Sequence, residues 1–88
     1  MKIFYSWTDV PPTFDGHCYI TLERGHFYIK AEGRQYGFIN YHRLNGPAIE
    51  YDYGGYKGWY IEGKEYTEEQ FWNHPLVVEN KFNKILEL

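Results

Sequence analysis

The sequence predicts an α+β, mainly β domain. The expected architecture is an antiparallel β-meander built from two glycine-turn hairpin repeats, with a short C-terminal helical segment packed on one face. Three observations predict it. The run Arg43-Leu44-Asn45-Gly46-Pro47-Ala48-Ile49-Glu50-Tyr51, followed by Gly54-Gly55 and Trp59-Tyr60-Ile61-Glu62-Gly63-Lys64, joins a tight turn, an alternating strand, a glycine turn, an aromatic strand and another glycine turn. Ten Tyr, six Phe and three Trp in 88 residues supply the apolar area that so small a domain needs. Helical periodicity appears only after residue 67.

Lys2 to Thr8 alternates as a first strand, which Pro11-Pro12 breaks before Phe14-Asp15-Gly16 turns the chain. His17 to Glu23 and His26 to Glu32 read as a hairpin around Arg24-Gly25, and Gln35 to Tyr41 as a further strand. After a loop over His42 to Gly46, Pro47 to Tyr53 and Tyr56 to Ile61 form a second hairpin around Gly54-Gly55, and Lys64 to Tyr66 closes the sheet. Glycine pairs permit the positive φ values of hairpin turns. Alternation sets Phe27, Ile29 and Ala31 against Tyr28, Lys30 and Glu32, and Trp59 and Ile61 against Tyr60 and Glu62. One sheet face is then expected to be apolar and the other tyrosine with charge. Thr67-Glu68-Glu69-Gln70 is a capping box, and Phe71 and Trp72 anchor the helix that it opens. His74-Pro75 ends or kinks that helix. Beyond it, Val78, Phe82, Ile85 and Leu86 recur at i, i+4, i+7 and i+8, a stripe that needs the sheet's apolar face or a partner chain to cover it.

The whole chain, 1–88, reads as a single domain: an N-terminal strand and turn (1–14), a degenerate repeat (15–36), a second repeat (42–66) and a helical tail (67–88). With an offset of 30 residues, Gly16, Gly25, Glu32, Gly33 and Tyr36 fall on Gly46, Gly55, Glu62, Gly63 and Tyr66. These matches sit at turn positions, where the backbone is most demanding.

A net charge of −3 disfavours nucleic acid as a partner, since binding it needs a basic surface that displaces counterions. It is equally far from the dense carboxylate rows of a DNA mimic. The single cysteine, Cys18, excludes an intramolecular disulfide framework. With a start that lacks a secretory signal, it points to the cytoplasm. No apolar run approaches the ~18 residues of a membrane span, so no membrane partner is expected.

The segment Arg43-Leu44-Asn45-Gly46-Pro47-Ala48-Ile49-Glu50, with Trp59-Tyr60-Ile61-Glu62-Gly63-Lys64, resembles a repeat of small tailed-bacteriophage proteins. That repeat reads Arg, any residue, Asp or Asn, Gly-Pro-Ala, a variable strand, then Trp-Tyr, any residue, Asn or Glu, Gly-Lys. It is distantly similar to MORN-type repeats. Tyr66-Thr67-Glu68-Glu69-Gln70-Phe71 looks like the helical ending of such arrays. The match covers residues 42–75. The first repeat departs from it, with His17-Cys18 where the second has Pro47-Ala48. The resemblance implies a phage-encoded accessory protein in the host bacterial cytoplasm. It implies no activity, because such repeats are scaffolds.

Four chemistries can be weighed on the residues. His17, His26, His42 and His74 lack the spacing of a metal site, so no metal is expected. His42-Arg43 with Glu50 and Asp52 could act as acid, base and phosphate clamp on a phosphodiester, although the arginine equally suits fixing its own loop through carbonyls or a carboxylate. Tyr28, Trp59, Tyr60 and Arg43 are the residue types that would stack a small nucleotide, the alternative to a protein partner. No glycine-rich phosphate loop precedes a helix, and no cofactor is expected. The reading that absorbs most features is a non-enzymatic protein-interaction module, an inhibitor or modulator of a host bacterial protein or a component of anti-defence. It would bind through its aromatic polar face and the 42–47 loop, at Tyr28, His42, Arg43, Asn45, Tyr60 and Glu62. Sheet edges of this kind also leave a homo-oligomer open.

Overall fold

The computed structural model describes residues 1–32 and 38–86. It is an α+β, mainly β fold. The strands are β1 (Lys2–Phe4), β2 (Gly16–Leu22), β3 (Gly25–Glu32), β4 (Phe38–Tyr41), β5 (Ile49–Tyr51), β6 (Lys57–Ile61) and β7 (Lys64–Tyr66). The helices are α1 (Glu68–Trp72) and α2 (Pro75–Leu86). Strands run in the order β1-β2-β3-β5-β6-β7, and β4 shares the same edge of β3 as β5. The long β3 makes this possible: Ile29 to Glu32 pair with β4, and Gly25 to Phe27 with β5. Tyr28 sits at the junction, its carbonyl accepting from the His42 N–H and its own N–H donating to the Ala48 carbonyl. The chain between β4 and β5 is therefore stitched to the middle of β3.

The sheet is mixed rather than wholly antiparallel, because β1 runs parallel to β2, with Phe4 beside Ile20. The first strand is also shorter than its alternation suggests. Past Phe4 the chain leaves the sheet in a 3-10 turn, Trp7–Asp9, and Trp7 packs on Phe27 at 5.2 Å between ring centroids. The contact of Trp7 with Phe27 outweighs four more residues of edge pairing. The expected strand start at Gln35 and the repeat positions Gly33, Arg34 and Tyr36 lie outside the described residues.

The two glycine hairpins share a register. Tyr19 pairs with Tyr28 and Ile20 with Phe27; thirty residues later Ile49 pairs with Gly58 and Glu50 with Lys57. The third strands differ. Ile61 meets Lys64 across a two-residue turn, whereas Ala31 meets Ile39. Gly25 lies inside β3 rather than in the turn, because Leu22 pairs with it and leaves Glu23-Arg24 as the connection.

Register also splits the core in two. Cys18, Ile20, Phe27, Ile29 and Ile49 share one face by direct pairing, closed by Phe4 and by Val10 and Phe14 of the N-terminal segment. Ile49 is paired with Gly58, so Tyr60 joins that first face and Trp59 and Ile61 point to the second. There they meet Phe71 and Val77 of the helices. The expected single apolar face is thus two half-faces on opposite sides of the sheet.

α1 begins as its sequence requires. The Gln70 N–H donates to Thr67 Oγ1 at 3.1 Å, and the Thr67 N–H donates to Gln70 Oε1 at 3.1 Å. Pro75 takes the first position of α2, where its missing N–H is harmless, and His74 Nδ1 accepts from the Leu76 N–H. α2 meets the core through Val77, which is 1 % exposed. The stripe expected to lie on the sheet faces the other way: Val78, Phe82, Ile85 and Leu86 are 53 to 67 % exposed. Burying a whole valine beside Phe71 at the start of the helix sets its rotation, and the stripe follows on the far side.

Candidate functional site

The loop from His42 to Ala48 crosses the second face between β3 and β6. Its backbone is anchored by the Arg43 N–H on the Tyr60 carbonyl and the Ala48 N–H on the Gly58 carbonyl. Arg43 then closes the loop on itself. Nε donates to Asn45 Oδ1 at 2.9 Å, and Nη1 donates to the Pro47 carbonyl and to Glu50 Oε1, each at 3.0 Å. The guanidinium carbon lies 3.9 Å from the centroid of the Tyr28 ring, a close cation–π contact. Gly46 completes the arrangement. A Cβ there would stand 2.8 Å from the guanidinium carbon, so a side chain at this position would displace the guanidinium from its acceptors. Ala48 beyond it is fully buried. The run Arg43, Asn45, Gly46, Pro47, Ala48 is therefore a rivet for the β4–β5 connection.

His42 secures the opposite side of this loop. Its ring Nδ1 accepts from the Glu62 N–H at 2.9 Å, which leaves the proton of the neutral ring on Nε2. The ring is buried, and its pKa falls below the ordinary 6.5, first through desolvation and then through the charges of His17 and Lys30. Glu62 and Gly63 both have positive φ, 48° and 85°, and form the turn between β6 and β7. Lys30 Nζ donates to Glu62 Oε1 at 3.0 Å and holds that carboxyl below its usual range. On an exposed pair this contributes little stability.

Around the rivet lies a polar ladder. Tyr19 packs on Tyr28 at 4.7 Å, and His26 bridges Thr21 Oγ1 and Asp52 Oδ1. Toward α2 the face falls into a cleft of about 290 Å³, where Tyr28, His42, Arg43 and Asn45 meet His17 and Lys84.

Four of the six residues singled out from sequence, Tyr28, His42, Arg43 and Asn45, thus come together. Glu62 stands beside them and touches the cluster through its backbone and Lys30. Tyr60 does not join. It lies on the first face, 5.2 Å from Tyr41, where burial and then the charge of Glu65 push its phenol up to about 12. The parity of β6 is the reason, since Tyr60 follows Gly58 and Ile49 onto that side. Of the stacking set, Arg43 lies on the Tyr28 ring, whereas Tyr60 takes the other face and Trp59 is enclosed by Phe71 and Trp72. Of the acid–base set, Arg43 and Glu50 meet at 3.0 Å beside His42, whereas Asp52 pairs with His26. His17 and Cys18 diverge as strand neighbours must, the cysteine into the first core.

His17, Asn80 and Lys84 are cleft residues that sequence reading missed as a set. They are brought in by pairing and helix docking, which leave no local signal. Among the described residues no group of three or more His, Cys, Asp or Glu side chains could hold a metal ion. No helix among them is long and apolar enough to cross a membrane. Comparison of the chain with protein-family models, with curated proteins and with solved structures finds no match in any of the three.

Proposed function

We propose that this chain is a non-enzymatic protein-interaction module whose contact surface is the outward face of α2. One observation carries this reading: Val78, Phe82, Ile85 and Leu86 form a continuous stripe on a twelve-residue helix and are more than half exposed. A helix presenting anchors at i, i+4 and i+7 is the form in which amphipathic helices enter a partner's groove. Large apolar side chains concentrated on one face of a small domain mark contact sites rather than ordinary surface. The 42–48 loop takes a supporting role, because Arg43 and Asn45 are bound to each other and to Pro47 and Glu50. The resemblance of residues 42–75 to bacteriophage repeats gives the reading its finer form, an inhibitor or modulator of a host bacterial protein acting in the cytoplasm.

The test is capture from bacterial lysate with two baits, the wild-type chain and Phe82→Asp/Ile85→Asp. Both positions are exposed, so the two baits should melt alike. A protein retained by the wild type and depleted at least about tenfold on the variant supports the proposal. Identical retention by both baits contradicts it.

A further inference from the structure

The cleft beside the rivet does not end at α2. A second hollow of about 280 Å³ adjoins it, and Leu44, Asn45, Asn80 and Lys84 line both. The result is one groove between the 43–45 loop and the helix, with two unlike ends. One end holds His17, His42 and Arg43. The other is built from Leu44, Trp72 and Ile85, with Lys81 placed over the Trp72 ring at 4.8 Å. Among the described residues no carboxylate lines either hollow, although the chain carries twelve Asp and Glu against nine Lys and Arg. Of the acidic residues beside the loop, Glu50 pairs with Arg43 and Glu62 with Lys30.

From this we infer that the groove receives a segment of the protein partner in which an acidic side chain neighbours an apolar one. The inference rests on the protein-interaction reading above and adds the chemistry of what is bound. The carboxylate lies where the two hollows meet, at Lys84 and the side-chain amides of Asn45 and Asn80. The apolar side chain lies against Leu44, Trp72 and Ile85. Ile85 belongs both to this end and to the exposed stripe, so the groove and the stripe form one continuous surface. A free inorganic anion fits less well. The C-terminal half of α2 lines the groove, so no helix N-terminal amides are offered. The apolar end would also stay unused.

The test is an amide-shift titration of the ¹⁵N-labelled full chain with a blocked peptide, Glu-Leu-Glu-Glu-Phe-Glu. Its counterpart with lysine for every glutamate, and inorganic phosphate, are titrated in parallel. The acidic peptide should produce saturable shifts at Leu44, Asn45, Asn80 and Lys84 that weaken as salt rises. Lys84→Glu should weaken the affinity about tenfold while amides elsewhere keep their positions. The lysine peptide should leave those four amides unmoved. Equal shifts from both peptides, saturation by phosphate at the same concentration, or no saturable shift at these residues would each overturn the inference. A silent groove together with a captured protein lost on Phe82→Asp/Ile85→Asp would remove this inference alone and leave the proposed function standing.

Discussion

The Arg43 guanidinium carbon sits 3.9 Å from the centroid of the Tyr28 ring, and Tyr28 is the residue at which β3 changes partner from β5 to β4. The cation is therefore held at the one point where the sheet's hydrogen bonding must branch. It joins the side chain of the branch residue to the loop that makes the branch.

Arg43→Ala should cost about 2–3 kcal/mol, since it removes charge-assisted bonds to Asn45, Pro47 and Glu50 together with the ring contact. Arg43→Lys should recover only part of this, because an ammonium cannot present the planar fork. Urea denaturation measures both. An alanine variant as stable as the wild type would show that the loop does not depend on this side chain.

Gly46→Ala should cost about 1–3 kcal/mol through collision with the guanidinium, whose carbon would lie 2.8 Å from the new methyl group. In an Arg43→Ala background the same change should cost much less. A double-mutant cycle then yields a coupling of about 1 kcal/mol or more. Additive effects would mean that Gly46 answers a backbone requirement and not the arginine.

How far these features could be read in the sequence depends on how local they are. The Thr67 to Gln70 capping box, the Glu62-Gly63 turn and the role of Arg43 as a loop fastener all act over a few residues, and each is present in the fold. The faces are different. Alternation correctly separates Trp59 from Tyr60, but which side Trp59 takes is decided by the pairing of Ile49 with Gly58, and no local pattern encodes that. The helix shows the same limit. Periodicity identifies the stripe Val78, Phe82, Ile85, Leu86, yet Val77 alone sits beside Phe71 and fixes the rotation. Gly46 was legible as a costly position, but as a turn glycine; the arginine that excludes a side chain is visible only in three dimensions.

Acid should weaken the fold through His42. Its folded pKa lies below 6.5, so the unfolded chain binds the proton more readily. Stability from this group is fully present above pH 6.5 and is lost as the pH falls through the folded value, when protonation of Nδ1 would also break the bond from the Glu62 N–H. Melting temperatures measured downward from pH 7 should fall more steeply for the wild type than for His42→Asn, whose amide oxygen accepts without titrating. Parallel curves would assign the acid sensitivity elsewhere.

The two sides of α2 should respond differently to truncation. Val77→Ala, at a position 1 % exposed, should destabilise by about 1–2 kcal/mol, whereas Phe82→Ala, at 57 % exposed, should stay within about 0.5 kcal/mol of wild type. Thermal denaturation of the pair checks this. A large loss from Phe82→Ala would place the stripe in the core and remove its availability to a partner.

The outward face of α2 as the contact surface is tested most directly by hydrogen exchange of the full chain, free and bound to the protein that the wild-type bait retains. Protection should concentrate over residues 76–86 and fall off toward the Tyr41 and Tyr60 side of the sheet. Protection confined to that opposite side, with α2 exchanging as it does in the free chain, would contradict the proposed function.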